Sequence, residues 1–164
     1  MFFKKGLSLK GYCTRNFTAL FSTEREATWE ALRRACNDSA LSAVAAQLYY
    51  DHLRAIFIQL MLIAVAKSCS MDASSDAHVF VMMYLKQHSQ SEIDEISRGY
   101  NQAFGSSSLA PNRDGVAEMV AHFSAVLTAG KLRQATTERL YIEFYAVLNI
   151  FFDDFKSIKL LPSR

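Results

Sequence analysis

The feature that most constrains this chain is a stretch over residues 40–70 that predicts a long helix with almost no polar side. Within residues 55–66, Gln59 is the one polar residue among twelve. A helix without a polar face has to be surrounded by other structure, because water disfavours exposed apolar surface. The stretch therefore predicts a central core helix, and it carries no catalytic signature.

The same stretch does not predict a transmembrane span. Its continuous apolar run covers twelve residues, whereas a helix needs about 20 to cross a bilayer. Extending the run towards the N-terminus meets Arg54, His52 and Asp51. We therefore expect a helix buried inside a folded domain.

Composition and periodicity predict an all-α fold. The 164 residues include only two prolines and six glycines, so few positions interrupt a helix. Apolar spacing and capping patterns predict a single-domain bundle of about six helices around two long central ones, residues 40–69 and 132–157. Residues 71–75 are predicted to be a polar break, and residues 105–114 to be the longest loop.

The N-terminal segment differs from the rest of the chain. Four basic residues and no acidic one precede Glu24, although the net charge of the whole chain is only +2. We expect residues 1–22 to be an arm that folds back or buries against a partner, and residues 23–164 to be the helical domain. A solvated tail and contact with an anionic surface are alternatives, whereas nucleic acid is not an expected partner. The expected partner-binding residues of the arm are Phe2, Phe3, Lys4, Lys5, Lys10, Tyr12, Arg15 and Phe17.

Two polar residues lie on the apolar face of the predicted central helix. His52 and Gln59 are seven positions apart, so their side chains project within about 20° of each other. Buried polar groups need hydrogen-bond partners, and Glu143 and Asp154, at one margin of the last helix's apolar stripe, are candidates. This pattern predicts either a structural polar network or a small-ligand pocket.

No motif in the chain names an activity. The three cysteines, Cys13, Cys36 and Cys69, form no Cys-x-x-Cys pair, and no Glu-x-x-His or phosphate-binding glycine loop occurs. We therefore predict no catalytic residue, no metal and no cofactor. An odd number of scattered cysteines favours a reducing compartment, so we expect a cytoplasmic protein.

These observations predict a non-catalytic helical interaction module that self-associates or docks on a protein partner. The alternative is a helical protein that binds a small apolar ligand near His52 and Gln59, with a regulatory role. An enzyme is not predicted.

Overall fold

The computed structural model describes residues 8–105 and 111–157, and this part of the chain is helical with no strand. The all-α prediction is confirmed. Eight helices follow one another within these two ranges: α1 Leu9–Leu20, α2 Thr23–Cys36, α3 Ser39–Ser42, α4 Ala46–Ser68, α5 Met71–Gln87, α6 Ser91–Gly105, α7 Pro111–Thr128 and α8 Gln134–Ser157. Part of the loop predicted at residues 105–114 lies outside the described residues.

Helix α4 lies at the centre of the bundle. Fourteen of its 23 residues are buried, and it packs most extensively against α8 and α6, with α5 next to them. Helix α7 covers α6 and α8 from the far side, and α1 packs on α5. The all-round apolar sequence of α4 is therefore matched by neighbours on several sides.

The predicted helix over residues 40–69 is divided into α3 and α4. Asp38 caps α3, accepting a hydrogen bond from the Ala40 amide at 3.0 Å. Ala45 then adopts an extended backbone, with ψ of 137°, before α4 begins. The sequence gives little warning of this break, because alanine carries no turn preference.

Two predicted boundaries move in the structure. The polar break expected at residues 71–75 is the first part of α5, because the Ser70 hydroxyl caps that helix by accepting from the Ala73 amide at 3.2 Å. The segment expected to be an arm contains α1, which Ser8 caps in the same way. Serine favours helix N-termini as strongly as it favours loops, so both segments suited either structure.

Asp38 also fixes the start of α8 against the corner between α2 and α3. Its carboxylate accepts hydrogen bonds from the Arg133 amide at 2.9 Å and the Thr136 hydroxyl at 2.7 Å. Burial raises the pKa of Asp38, but these hydrogen bonds outweigh burial and leave the pKa below its ordinary value. These contacts join the N-terminal end of α8 to that corner.

Arg54 joins three helices although it belongs to the apolar helix α4. Its buried guanidinium donates to the Leu20 carbonyl at 3.3 Å, to Asp51 at 2.9 Å and to Glu26. The same group lies over the Phe21 ring, 4.8 Å from its centre. A buried charge is tolerated only with such partners, so Arg54 anchors α1 and α2 to α4.

Among the described helices, α4 alone is long and apolar enough to cross a membrane by length and composition. Most of its apolar stretch is buried inside the bundle, as in the core helix of a folded domain. A single candidate of this kind is weak evidence against a protein with several membrane spans.

Candidate functional site

A buried polar ladder joins α4 to α6. The His52 ring, through Nδ1, is hydrogen bonded to the Tyr100 hydroxyl at 2.7 Å. About two turns further along α4, Gln59 donates through Nε2 to the Ser97 hydroxyl at 2.5 Å. All four side chains are buried, so each rung satisfies polar groups that the apolar surroundings would otherwise leave unpaired.

Helix α7 closes one end of this ladder with His122. The Tyr100 and His122 rings meet edge to face, with their centres 5.0 Å apart. A Cβ added at Gly99 would lie 2.9 Å from His122 Nε2. Gly99 therefore leaves room for the imidazole, and a larger residue would have to displace it.

The ladder is electrically neutral near pH 7. Burial and, to a smaller extent, the nearby His122 lower the pKa of His52 to about 4, and Asp51 opposes this shift. Burial also raises the pKa of Tyr100 well above its ordinary value. A neutral imidazole bonded to a neutral phenol is a poor proton-transfer pair at neutral pH, so the geometry suits packing and register better than acid–base chemistry.

The structure corrects the partners expected for His52 and Gln59. Asp154 instead accepts a hydrogen bond from the Tyr12 hydroxyl at 2.9 Å, and Glu143 is exposed beside α2. Helix α8 packs on a different side of α4, where Leu53 shares a cavity wall with residues of α8. The carboxylates of α8 therefore do not reach the polar stripe.

The residues expected to bind a partner through the arm separate into three groups. Tyr12 and Phe17 are buried in the chain's own core, each only 1% exposed. Lys10 and Arg15 lie on the outer side of α1 and are exposed. The remaining four residues, Phe2, Phe3, Lys4 and Lys5, lie outside the described residues. The two aromatic side chains of α1 are thus not available to a partner in this structure.

The open cavities between helices of the described part include the following three. One groove of about 610 Å³ runs between α7 and α8, and a cleft of about 370 Å³ lies between α2, α4 and α8. A third, of about 470 Å³, separates α1 from α5. None of the three is lined by His52 or Gln59, so the ladder does not border these spaces.

The cleft between α2, α4 and α8 contains the chain's one tryptophan. Trp29 is 2% exposed, and among the described side chains its Nε1 is the one buried polar atom without a hydrogen-bond partner. Arg25 borders the same cleft, with its guanidinium 5.6 Å from the centre of the Phe57 ring. The cleft thus combines aromatic walls with a cation.

The outer face of α8 carries exposed apolar side chains. Ile142 is 64% exposed and Ile150 is 58% exposed, with the exposed Ala146 midway between them. The α7/α8 groove borders this face, and small residues of α7, Ala117 and Ala121, line it. The sequence signal of this second apolar face is the spacing of four residues between Ala146 and each isoleucine.

Within the described ranges, no three His, Cys, Asp or Glu side chains are grouped closely enough to hold a metal ion. The fold and these surfaces define an all-α bundle with an internal neutral polar ladder and an apolar outer face. Comparison of the chain with protein-family models, curated proteins and solved structures gives no match.

Proposed function

We propose that this protein is a non-catalytic helical interaction module whose docking surface is the outer face of α8 together with the α7/α8 groove. One observation carries the proposal: Ile142 and Ile150 are more than half exposed on a helix whose opposite side is buried. Apolar side chains grouped on a surface are characteristic of protein interaction sites.

The shape of the groove suits a helical partner. Its volume is about 610 Å³, with Ala117 and Ala121 on one wall and Tyr141 and Ile142 on the other. Alanines let a second backbone approach closely, and an apolar groove between two helices accepts the apolar ridge of a third. The partner is therefore another protein helix, from a second copy or from a different chain.

The buried ladder supports a non-catalytic role. His52, the histidine with a strongly shifted pKa, is buried and hydrogen bonded to Tyr100. We also place the protein in the reducing cytoplasm. This part of the proposal is supported by three cysteines that form no disulfide, and by Cys13, whose pKa burial raises to about 12. Such a thiol is unreactive.

A site-specific photo-cross-linker tests the docking surface in the native host. p-Benzoylphenylalanine replaces Ile142, and in a matched control it replaces Val79, which is 51% exposed on α5. We expect one adduct of defined mass from position 142, none from position 79, and loss of the adduct when Ala146→Glu is added. No adduct from position 142 would refute the proposed function.

A second candidate function, binding of a small amphipathic anion, is favoured by the Trp29 cleft. Its volume of about 370 Å³ is within the roughly 300–1,000 Å³ typical of ligand sites. Arg25 would face the anion, and the aromatic rings of Trp29 and Phe57 would contact its apolar part.

The fluorescence of Trp29 tests this second candidate directly, because the chain has no other tryptophan. Titration with the anionic aromatic probe 1-anilinonaphthalene-8-sulfonate should quench Trp29, and Arg25→Ala should weaken the binding. Lys10→Ala, at the α1/α5 cleft, is the matched control and should leave binding unchanged. Probe binding without quenching of Trp29 would exclude this cleft.

A further inference from the structure

The outer face of α8 has a pattern that is complementary to itself when the direction of the chain is reversed. We infer that this face binds the same face of a second copy in antiparallel orientation, with Arg139 of each copy paired with Asp153 of the other. The inference rests on the proposed function and deepens it by naming the partner.

The apolar part of the pattern is symmetric about Ala146. In an antiparallel pair centred on that residue, a side chain n positions before it meets the side chain n positions after it on the other copy. Ile142 and Ile150, four positions on either side, therefore meet each other. Ala146 at the crossing point allows the two helix axes to approach to about 8 Å.

The polar part of the pattern has the same centre. Glu143 and Asn149, three positions on either side, would pair a carboxylate acceptor with an amide donor. Arg139 and Asp153, seven positions on either side, would pair opposite charges twice in the dimer. All four of these side chains are exposed.

The helical geometry places these residues on one face. At 100° per residue, the isoleucines project about 40° to either side of Ala146, and Arg139 and Asp153 about 20° to either side. Each charged residue lies about 10 Å along the axis from Ala146. Ion pairs at this distance flank the apolar centre, where they select partner and orientation.

Two charged residues of α8 are placed opposite to the order that a helix dipole favours. An isolated helix is stabilised by acidic residues near its start and basic residues near its end, as in α2, which begins with Glu24 and Glu26 and ends with Arg33 and Arg34. In α8 the basic Arg139 comes early and the acidic Asp153 comes late. Lys156 of the same helix, whose Nζ lies 3.5 Å from Asp153 Oδ1, already offsets part of this placement, and an antiparallel second copy would add Arg139 as a second cation for Asp153.

A second exposed apolar patch, on α5, lacks this complementarity when the pair is centred on Val79. On α5, Val79, Met82 and Met83 are each about half exposed, at 51%, 57% and 53%. An antiparallel pair centred on Val79 would place Met82 against Asp76 and Met83 against Ser75. These contacts would bury a carboxylate and a hydroxyl against thioethers, so α5 is the weaker candidate for self-association.

Sedimentation velocity on the whole purified protein tests the proposal. A contact centred on one helix of each copy is at the low end of the roughly 1,200–2,000 Å² of stable interfaces, so we expect a dimer that dissociates on dilution. Arg139→Glu and Asp153→Arg should each weaken the dimer by about tenfold or more at low salt, through loss of attraction and new repulsion. The double variant should recover the parent affinity.

Lys86→Glu on α5 is the matched control, because it changes the net charge as Arg139→Glu does. It should leave the dimer unchanged. Circular dichroism and thermal unfolding of every variant separate loss of dimer from loss of fold. A monomer at every concentration, or a double variant no tighter than the single ones, would overturn the proposal.

Disulfide trapping gives an independent readout of the register. Ala146→Cys places the new thiol on the two-fold axis of the proposed dimer, where mild oxidation should link two copies. Val79→Cys on α5 is the control and should not link. Linkage at position 79 in place of position 146 would assign the interface to α5 and overturn the proposal.

These results are distinguishable from failure of the proposed function. A monomeric protein whose position 142 cross-links to a different chain would refute the second copy and retain the interaction module. Absence of any adduct at position 142 would refute both.

Discussion

The two longest helices, α4 and α8, have nearly the same length, 23 and 24 residues, and contrasting surroundings. In α4 the polar residues His52 and Gln59 point inwards to partners on α6. In α8 the apolar residues Ile142 and Ile150 point outwards to solvent. The comparison teaches that apolar content alone does not decide which side of a helix is covered by neighbours. Helix α4 buries polar side chains, whereas α8 exposes apolar ones.

The largest effect is expected from truncating one isoleucine in each helix. Ile56→Ala in α4, where the side chain is 0% exposed, should lower the free energy of unfolding by about 2–5 kcal/mol through lost burial and a new cavity. Ile142→Ala in α8 should change it by less than about 0.5 kcal/mol. Urea unfolding at concentrations where the protein is monomeric measures both. Equal losses would show that the outer face of α8 is covered within the monomer.

The helical architecture could be predicted from the sequence because apolar residues recur at helical spacing and few glycines or prolines interrupt them. Helix α1 was missed because Lys10 and Arg15 suggested a basic arm. Those charges lie on its exposed side, whereas Tyr12 and Phe17 face the core. A segment of this length suits both an arm and a docked helix until its neighbours are known.

The polar stripe of α4 could be predicted from the spacing of His52 and Gln59, but its partners could not. Ser97 and Tyr100 are i, i+3 neighbours on α6, and they meet the stripe only through the register in which α6 packs on α4. Neither residue carries a charge that would mark it as a partner. The charged candidates Glu143 and Asp154 lie on α8, which packs on a different side of α4.

The next largest effect is a pH dependence of stability that arises from α4. His52 has a pKa of about 4 when folded, against an ordinary value of 6.5. The unfolded chain therefore binds the proton more readily between these pH values, so stability falls as pH drops through this window. The loss attributable to His52 should reach about 3 kcal/mol by pH 4.

Urea unfolding of matched variants at about pH 7 and about pH 4.5 isolates this contribution, because these two pH values lie on either side of the ordinary histidine pKa. His52→Asn keeps a hydrogen-bonding atom near the position of Nδ1 and removes the titration, so its stability should depend less on pH. His78→Asn, at an exposed position, should behave like the parent. A parent and a His52→Asn variant with the same pH dependence would show that His52 is hydrated when folded.

A smaller effect is expected when one rung of the ladder loses a hydroxyl. Tyr100→Phe leaves the buried His52 Nδ1 without its partner at 2.7 Å, which should cost about 1–3 kcal/mol. Tyr145→Phe, on the half-buried ring that stacks on Tyr141 in α8, should cost less than about 0.5 kcal/mol. Thermal unfolding of the two variants makes the comparison, and similar losses would remove the distinction between the two helices.

The smallest effect is expected when both partners of the second rung become apolar together. Ser97→Ala alone leaves the buried Gln59 amide unpaired, whereas Gln59→Met with Ser97→Ala replaces the pair by groups of similar shape. The double variant should be within about 1 kcal/mol of the parent and more stable than Ser97→Ala. Urea unfolding of the three proteins forms a double-mutant cycle. If the double variant is the least stable of the three, the hydrogen bond between Gln59 and Ser97 contributes more to stability than the pairing of these two polar groups. If the stability of the double variant is close to that of the parent, the polar residues of α4 set the register of α6 and contribute little to the stability of the bundle. The outer face of α8 is then the candidate functional surface.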